Sequence, residues 1–262
     1  MSAVPVQQSR LQAALRGPGF GRLCVIAAGL LLWEVLARTV GDPKFVSPPS
    51  RVAWVLVTKT LADPAVRGAI GTAFYELLLA FALAVLAGTT VGVLVGSGER
   101  VRRSTYPLVL MLYAVPQVTV LPLFVMLFGL GSASKVAFGF THGIFPVVVN
   151  IVAGMRDMNP LLLRSARSMG AGTGQILRHV ILPHLVPSFF AGLRLSMAMT
   201  LLGVILAELY ASIDGVGFLA QLYAESFDSA PLFALILALA CMAILLNELA
   251  RRAELWFAKR WR

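Results

Sequence analysis

A polytopic, all-α membrane bundle of about six helices is the architecture this sequence predicts, on three observations. Of 262 residues, 58% are hydrophobic and 13% are charged, whereas a soluble domain carries about 25% charged residues to cover its surface. The apolar residues gather in runs near the ~20 residues that take a helix across ~30 Å of hydrocarbon. Those runs are continuous Leu, Ala, Val and Ile, without the apolar–polar alternation of a barrel strand. A helix satisfies its backbone hydrogen bonds within its own segment, as a lipid-embedded segment must.

The runs extend over residues 23–40, 70–95, 106–130, 136–154, 186–210 and 231–249. The first has a basic start (Arg10, Arg16, Arg22) and could be a signal peptide. Glu34 and Arg38 interrupt it where a small-residue cleavage site should lie, which favours a retained helix. Residues 41–69 are too charged to span; Asp42-Pro43 and Ser47-Pro48-Pro49-Ser50 mark a turn, and Ser50 is placed to cap a short surface helix through Leu61. In the second run Ala80, Ala84, Gly88, Gly92 and Gly96 recur every four residues and predict a face that another helix approaches closely. Pro107, Pro116 and Pro122 predict a bend in the third. Cys24 and Cys241 lie inside apolar runs and are expected to be buried small residues, not a disulfide.

Orientation follows from Lys and Arg in the short loops, which the cytoplasmic side retains in excess. Basic residues cluster before the first run (Arg10, Arg16, Arg22), between the second and third (Arg100, Arg102, Arg103), between the fourth and fifth (Arg156, Arg164, Arg167, Arg178) and after the last (Arg251, Arg252, Lys259, Arg260, Arg262). Both termini are therefore expected in the cytoplasm. This topology accounts for most of the +10 net charge, which a nucleic-acid binder would instead carry on a polar surface. The domain organisation expected is a tail, 1–22, and one membrane domain, 23–262, with a core at about 70–250.

Polar groups inside the runs are Glu76, His142, Asn150, Arg194 and Glu208. Arg194 and Glu208 are 14 residues apart, about 21 Å along a helix, and snorkelling toward opposite interfaces is the preferred reading of both. His142 is expected as a neutral imidazole bonded to a neighbouring helix. Gln117, Thr119, His142, Asn150 and Glu208 are the candidates for lining a translocation path.

The most informative stretch is residues 155–187. Asn159-Pro160 is a strong helix start, and Gly170 can take the left-handed turn that ends the helix. Thr173 could cap a second helix from Gly174 to Leu182, ended by Pro183. Helices of about ten residues are marginal alone in water, so both need a surface. The leucines at 161–163 are expected against the bundle, with the Gly170 turn projecting into the cytoplasm.

Arg164-Ser165-Ala166, Gly170 and Leu182-Pro183 resemble the EAA loop of binding-protein-dependent ABC importer permeases, an acidic-Ala-Ala triplet followed by a spaced glycine and Leu-Pro. The resemblance runs from about Gly71 to the C-terminus. It includes Leu121-Pro122, Phe128-Gly129-Leu130-Gly131, Phe145-Pro146, Asn150, Gly192-Leu193-Arg194-Leu195, Glu208 and Gly215-Val216-Gly217. Within that superfamily it is most similar to the branch importing nitrate, sulfonates, taurine or thiamine precursors. The resemblance implies that the loop inserts into a cleft of a separate ATPase subunit and moves with it. It also implies the partners: two ATPase subunits, a second permease copy as a homodimer, and an extracytoplasmic solute-binding protein, in the cell membrane. Arg164 stands where the triplet usually has Glu, so that contact must be reversed, replaced or lost.

A Walker A loop needs Gly-Lys followed by Ser or Thr. The four lysines follow Pro43, Thr58, Ser134 and Ala258. The chain is thus expected to be no enzyme and to hold no cofactor or metal of its own, with ATP and Mg²⁺ in the partner. Two alternatives remain. A stand-alone ion-coupled transporter would want a coupling-ion site and usually two related halves. An intramembrane enzyme would use His142, or His179 and His184, whose spacing matches no metal motif such as His-Glu-x-x-His.

Overall fold

The computed structural model describes residues 18–260, and every regular element in them is helical. In chain order the helices are α1 (Pro18–Thr39), α2 (Pro49–Val55), α3 (Pro64–Gly96), α4 (Glu99–Ala114), α5 (Leu121–Phe128), α6 (Ser132–Arg156), α7 (Pro160–Ser168), α8 (Thr173–Ile176), α9 (Leu182–Tyr210), α10 (Val216–Glu225) and α11 (Ser229–Arg260). A 3₁₀ turn (Gln117–Val120) precedes α5, and π-helical turns follow α2 (Leu56–Thr60) and α8 (Leu177–Ile181).

Among the described residues four helices are long and apolar enough to cross a membrane: α3, the run Thr173–Tyr210, α6 and the run Ser229–Phe257 of α11. A fifth is the pair formed by α4 and the segment Gln117–Phe128, bent by 77°. The first of the expected six, α1, is a helix of 22 residues that includes Arg22, Glu34 and Arg38. The bend falls at Val115-Pro116, while Pro107 is carried inside α4 and Pro122 sits in the first turn of α5, where a missing N–H costs nothing. Most of the expected tail, with Arg10 and Arg16, lies outside the described residues.

The chain forms two compact units, 1–63 with 223–236, and 64–222 with 237–262. In the first, Val52 and Val55 of α2 pack against Ala230 and Ala234, the Ser47 and Ser229 hydroxyls meet at 2.7 Å, and Trp33 lies against Phe233 with ring centroids 5.6 Å apart. Ser50 does not cap α2. The helix starts at Pro49 from an extended Pro48, and Ser50 instead gives its N–H (3.0 Å) and hydroxyl (2.7 Å) to the Glu34 carboxylate.

The second unit is organised on α6, which packs against both α3 and α9. The small-residue face of α3 does what its spacing predicts: a Cβ on Gly88 would lie 2.8 Å from Val147 Cβ, and one on Gly92 2.9 Å from Ile151 Cβ. These helices touch backbone to side chain, and dispersion across that contact holds them where lipid offers no hydrophobic drive. Large apolar side chains such as Leu86, Leu94, Met126 and Ile244 are exposed, the exterior of a protein whose solvent is hydrocarbon. Cys24 and Cys241 belong to that exterior; they are free and exposed, not buried as expected.

Candidate functional site: an exposed segment and a buried charge cluster

The connection between α6 and α9 is built largely as its residues dictate. Asn159 Oδ1 accepts the Leu161 N–H at 2.9 Å and caps α7. Gly170 takes φ +77°, and the Ala171 N–H reaches the Ala166 carbonyl at 3.0 Å, the 6→1 bond of a Schellman-type helix end. Two expectations are corrected. The second helix begins at Thr173 from an extended Gly172, whose N–H is held by Gln175 Oε1 at 2.9 Å, so Thr173 is not the cap. Nor does Pro183 end it: the chain continues as one helical run from Thr173 to Tyr210. Pro183 falls in the first turn of α9, directly after the π-helical turn in which Leu182 N–H bonds Leu177 O. That wider i→i−5 turn gives the proline ring room that a regular turn would deny.

The outward face of the segment is apolar as well as basic. Leu161 and Leu162 are 63% and 51% exposed and Met169 80%, so these leucines do not cover the bundle as expected. Arg164, Ser165 and Arg167 are exposed beside them, and Ala166 and Ile176 are buried. A Cβ on Gly170 would meet nothing within 4 Å.

At the other ends of α6 and α9 lies a cluster of ionisable groups. Glu76 (α3), Lys135 (α6) and Glu208 (α9) are each 0% exposed. Lys135 Nζ is 3.2 Å from Glu76 Oε1 and is also bonded to the carboxylate of Asp214, in the loop before α10. The Lys135 bond holds the exposed Asp214 carboxyl below its ordinary range. Glu208 Oε2 accepts the Gly217 N–H at 2.7 Å. Gly215, at φ +102°, lies so close to the Glu208 carboxyl that any Cβ would collide with it. A Cβ on Gly217 would meet Ile205 O at 2.8 Å and Leu209 N at 2.9 Å. Both glycines of Gly215-Val216-Gly217 are therefore required by the carboxylate and helix they enclose.

Snorkelling is thus corrected for Glu208, which is buried in this cluster, while Arg194 is partly exposed and ion-paired to Glu254 of α11. The other expected path residues do not join Glu208. His142 Nδ1 bonds Phe138 O of its own helix at 3.0 Å, not a neighbouring helix, and its ring lies on Phe138. Asn150 Nδ2 bonds Pro146 O at 2.9 Å on the same helix. Thr119 bonds Pro116 O at 2.6 Å, and Gln117 Nε2 reaches Thr141 O at 3.3 Å. Lys135 and Asp214 were not singled out by the sequence. The available signal was charge balance: a buried Glu76 demands a cation, and Lys135 immediately precedes the fourth apolar run.

Residues 84–262 match the family described as the binding-protein-dependent transport system inner membrane component. The chain belongs to this family. It is accordingly a multi-pass permease of the cell membrane, a component of an ABC-type importer and not itself an enzyme, and the EAA-loop resemblance is confirmed at the level of the family. The permease is 32% identical to the taurine transport system permease protein TauC of Escherichia coli over 84% of this chain and 82% of that one. It is 29% identical to the putative aliphatic sulfonates transport permease protein SsuC of Bacillus subtilis over 100% and 96%. It is 28% identical to the formylaminopyrimidine transport permease protein ThiX of Halalkalibacterium halodurans over 82% and 86%. These matches favour the importer permease over a stand-alone transporter.

Proposed function

We propose that this permease imports a small polar solute of the taurine, sulfonate, nitrate or thiamine-precursor kind, driven by ATP hydrolysis in a separate subunit that grips residues 155–187. The observation that carries the coupling role is the segment's outward face. Leu161, Leu162 and Met169 are exposed around a left-handed Gly170 turn, at a nine-residue helix, α7, too short to be stable alone in water. An apolar patch rimmed by charge is the signature of a protein-binding surface, and Arg164 gives it a basic residue suited to a carboxylate of the ATPase. Two ATPase subunits, a second copy of this permease as a homodimer and an external solute-binding protein complete the assembly. ATP and Mg²⁺ belong to the ATPase.

Of the path candidates, Gln117 and Thr119 sit at the 77° break between α4 and α5, Thr119 is exposed, and Gln117 Oε1 is buried without a hydrogen-bond partner. Irregular backbone at membrane depth is tolerated where it lines a cavity. His142 and Asn150 follow along α6, and Glu208 acts on the path through the loop it holds.

The test is co-purification and uptake. Pull-down from membranes recovers an ATPase with the native chain. Gly170→Val leaves membrane insertion intact and abolishes ATP-dependent uptake of the solute found with a panel of taurine, alkanesulfonates, nitrate and formylaminopyrimidine. Unchanged uptake in Gly170→Val overturns the coupling role, and uptake by the purified chain alone under an ion gradient would overturn the dependence on an ATPase.

A further inference from the structure

The end of α6 opposite Lys135 borders a cavity of about 480 Å³, shared with the first turns of α4. Arg102, Arg103 and Arg156 line it together with Glu99 and Asp157, so three guanidiniums meet two carboxylates and one positive charge is in surplus. Glu99 holds the first two in place, accepting from Arg103 Nε at 2.7 Å and from Arg102 Nη2. A guanidinium has five N–H donors, so most of theirs are left to spend. Arg156 is exposed and has no ion pair among the described residues. The cavity lies where charge gives way to hydrocarbon on both helices. In α4, Glu99, Arg100, Arg102 and Arg103 precede an apolar stretch that begins at Tyr106. In α6, Arg156 ends a helix whose Val148 and Val152 are buried. Tyr106 packs against those valines, as aromatic rings do where a helix meets the headgroups.

We propose that this cavity binds the phosphate of an anionic membrane lipid, a phosphodiester of single negative charge such as that of phosphatidylglycerol. One such charge cancels the surplus. Planar guanidiniums pair with phosphate oxygens through parallel hydrogen bonds, and two of the three are already ordered by Glu99, which lowers the entropy lost on binding. The remainder of the ligand has a place too. Arg103, Pro107 and Met111 recur every four residues on one face of α4, and Leu110 and Met111 are exposed, a strip on which an acyl chain can lie. A free phosphate ion would leave that strip uncovered, and a zwitterionic headgroup would bring an ammonium to a site already in positive excess. Basic pockets between membrane helices suit anionic headgroups for these reasons. Arg156 lies just before the Asn159 cap of α7, so the lipid is held at the root of the exposed segment.

The experiment is native mass spectrometry of the full chain in detergent, titrated with phosphatidylglycerol, with phosphatidylcholine of the same acyl chains as the zwitterionic probe and inorganic phosphate as the free anion. The native chain retains phosphatidylglycerol in preference to phosphatidylcholine. Arg156→Gln and Arg103→Gln each weaken that binding about tenfold, the loss of a hydrogen bond to a charged group, whereas Arg251→Gln, an exposed arginine outside the cavity, does not. Equal retention of the two lipids by the native chain overturns the proposal, and that comparison decides even where a variant fails to fold. So does an equal loss in Arg251→Gln, which would mean diffuse attraction to a basic surface. Inorganic phosphate that displaces the lipid at equal concentration overturns the membrane as the source of the anion. Neither ATPase nor solute enters the measurement, so its outcome is separate from that of the transport function.

Discussion

The two ends of the α6–α9 pair solve opposite problems. At one end, Glu76, Lys135 and Glu208 are wholly buried and find their partners within this chain. At the other, Leu161, Leu162 and Met169 stand exposed and find none here. The first end is finished on folding, while the second is finished by something else. A substitution at the first should therefore damage the fold, and one at the second should spare the fold and damage the assembly. That division of labour suits a membrane component that must persist as a folded body while a detachable motor acts on it.

The comparison can be broken most forcefully at Lys135. Lys135→Met leaves Glu76 buried without its cation, and removing one partner of a buried pair costs about 3–5 kcal/mol. The variant should melt well below the native protein in a size-exclusion thermal-shift assay in detergent; an unchanged midpoint would mean the cluster is not the closed end described. Next is Gly217→Val, whose Cβ would meet backbone atoms of α9 that cannot rotate away. Overpacking costs about 1–3 kcal/mol, measured by the same assay and by the yield of inserted protein. Gly170→Val carries about 1–2 kcal/mol of left-handed backbone strain with no clash, so its thermal loss should be the smaller while its uptake is gone.

Acid supplies a milder probe of the same end. The Asp214 carboxyl is held below its ordinary range by Lys135. A group whose value is lowered in the folded state stabilises fully above its unfolded value, and that stability is lost as pH falls through the folded one. Thermal midpoints should therefore decline on acidification below the ordinary Asp range, less steeply in Asp214→Asn. The least effect on folding belongs to Leu161→Ser, within about 0.5 kcal/mol for an exposed site, yet it should reduce the ATPase retained in a pull-down. Full retention would remove Leu161 from the contact surface.

How much of this was legible in the sequence follows from the physics of each feature. Spacing alone fixed the close face of α3, because Gly88, Gly92 and Gly96 return to one side every four residues. The cap at Asn159 and the turn at Gly170 were equally local. Pro183 misled because proline is a stop signal in a regular helix, and the π-helical turn before it that removes the clash leaves no mark in residue type. Leu161 and Leu162 misled because apolarity signals burial without saying against which molecule. Lys135 lies just outside the fourth apolar run, and the interface reading of Glu208 rests on its 14-residue spacing from Arg194. Their burial depends on the other charges folding beside them, which no single stretch of sequence contains.

The unbroken run from Thr173 to Tyr210 has one last implication. Its 38 residues make a rod about 55 Å long at 1.5 Å per residue, with its foot beside the Gly170 turn and Glu208 near its tip. Pivoting such a rod by 5° at the foot sweeps the tip through about 5 Å, more than the reach of any hydrogen bond. A modest push at its foot would thus be amplified by leverage into the making or breaking of contacts at its tip.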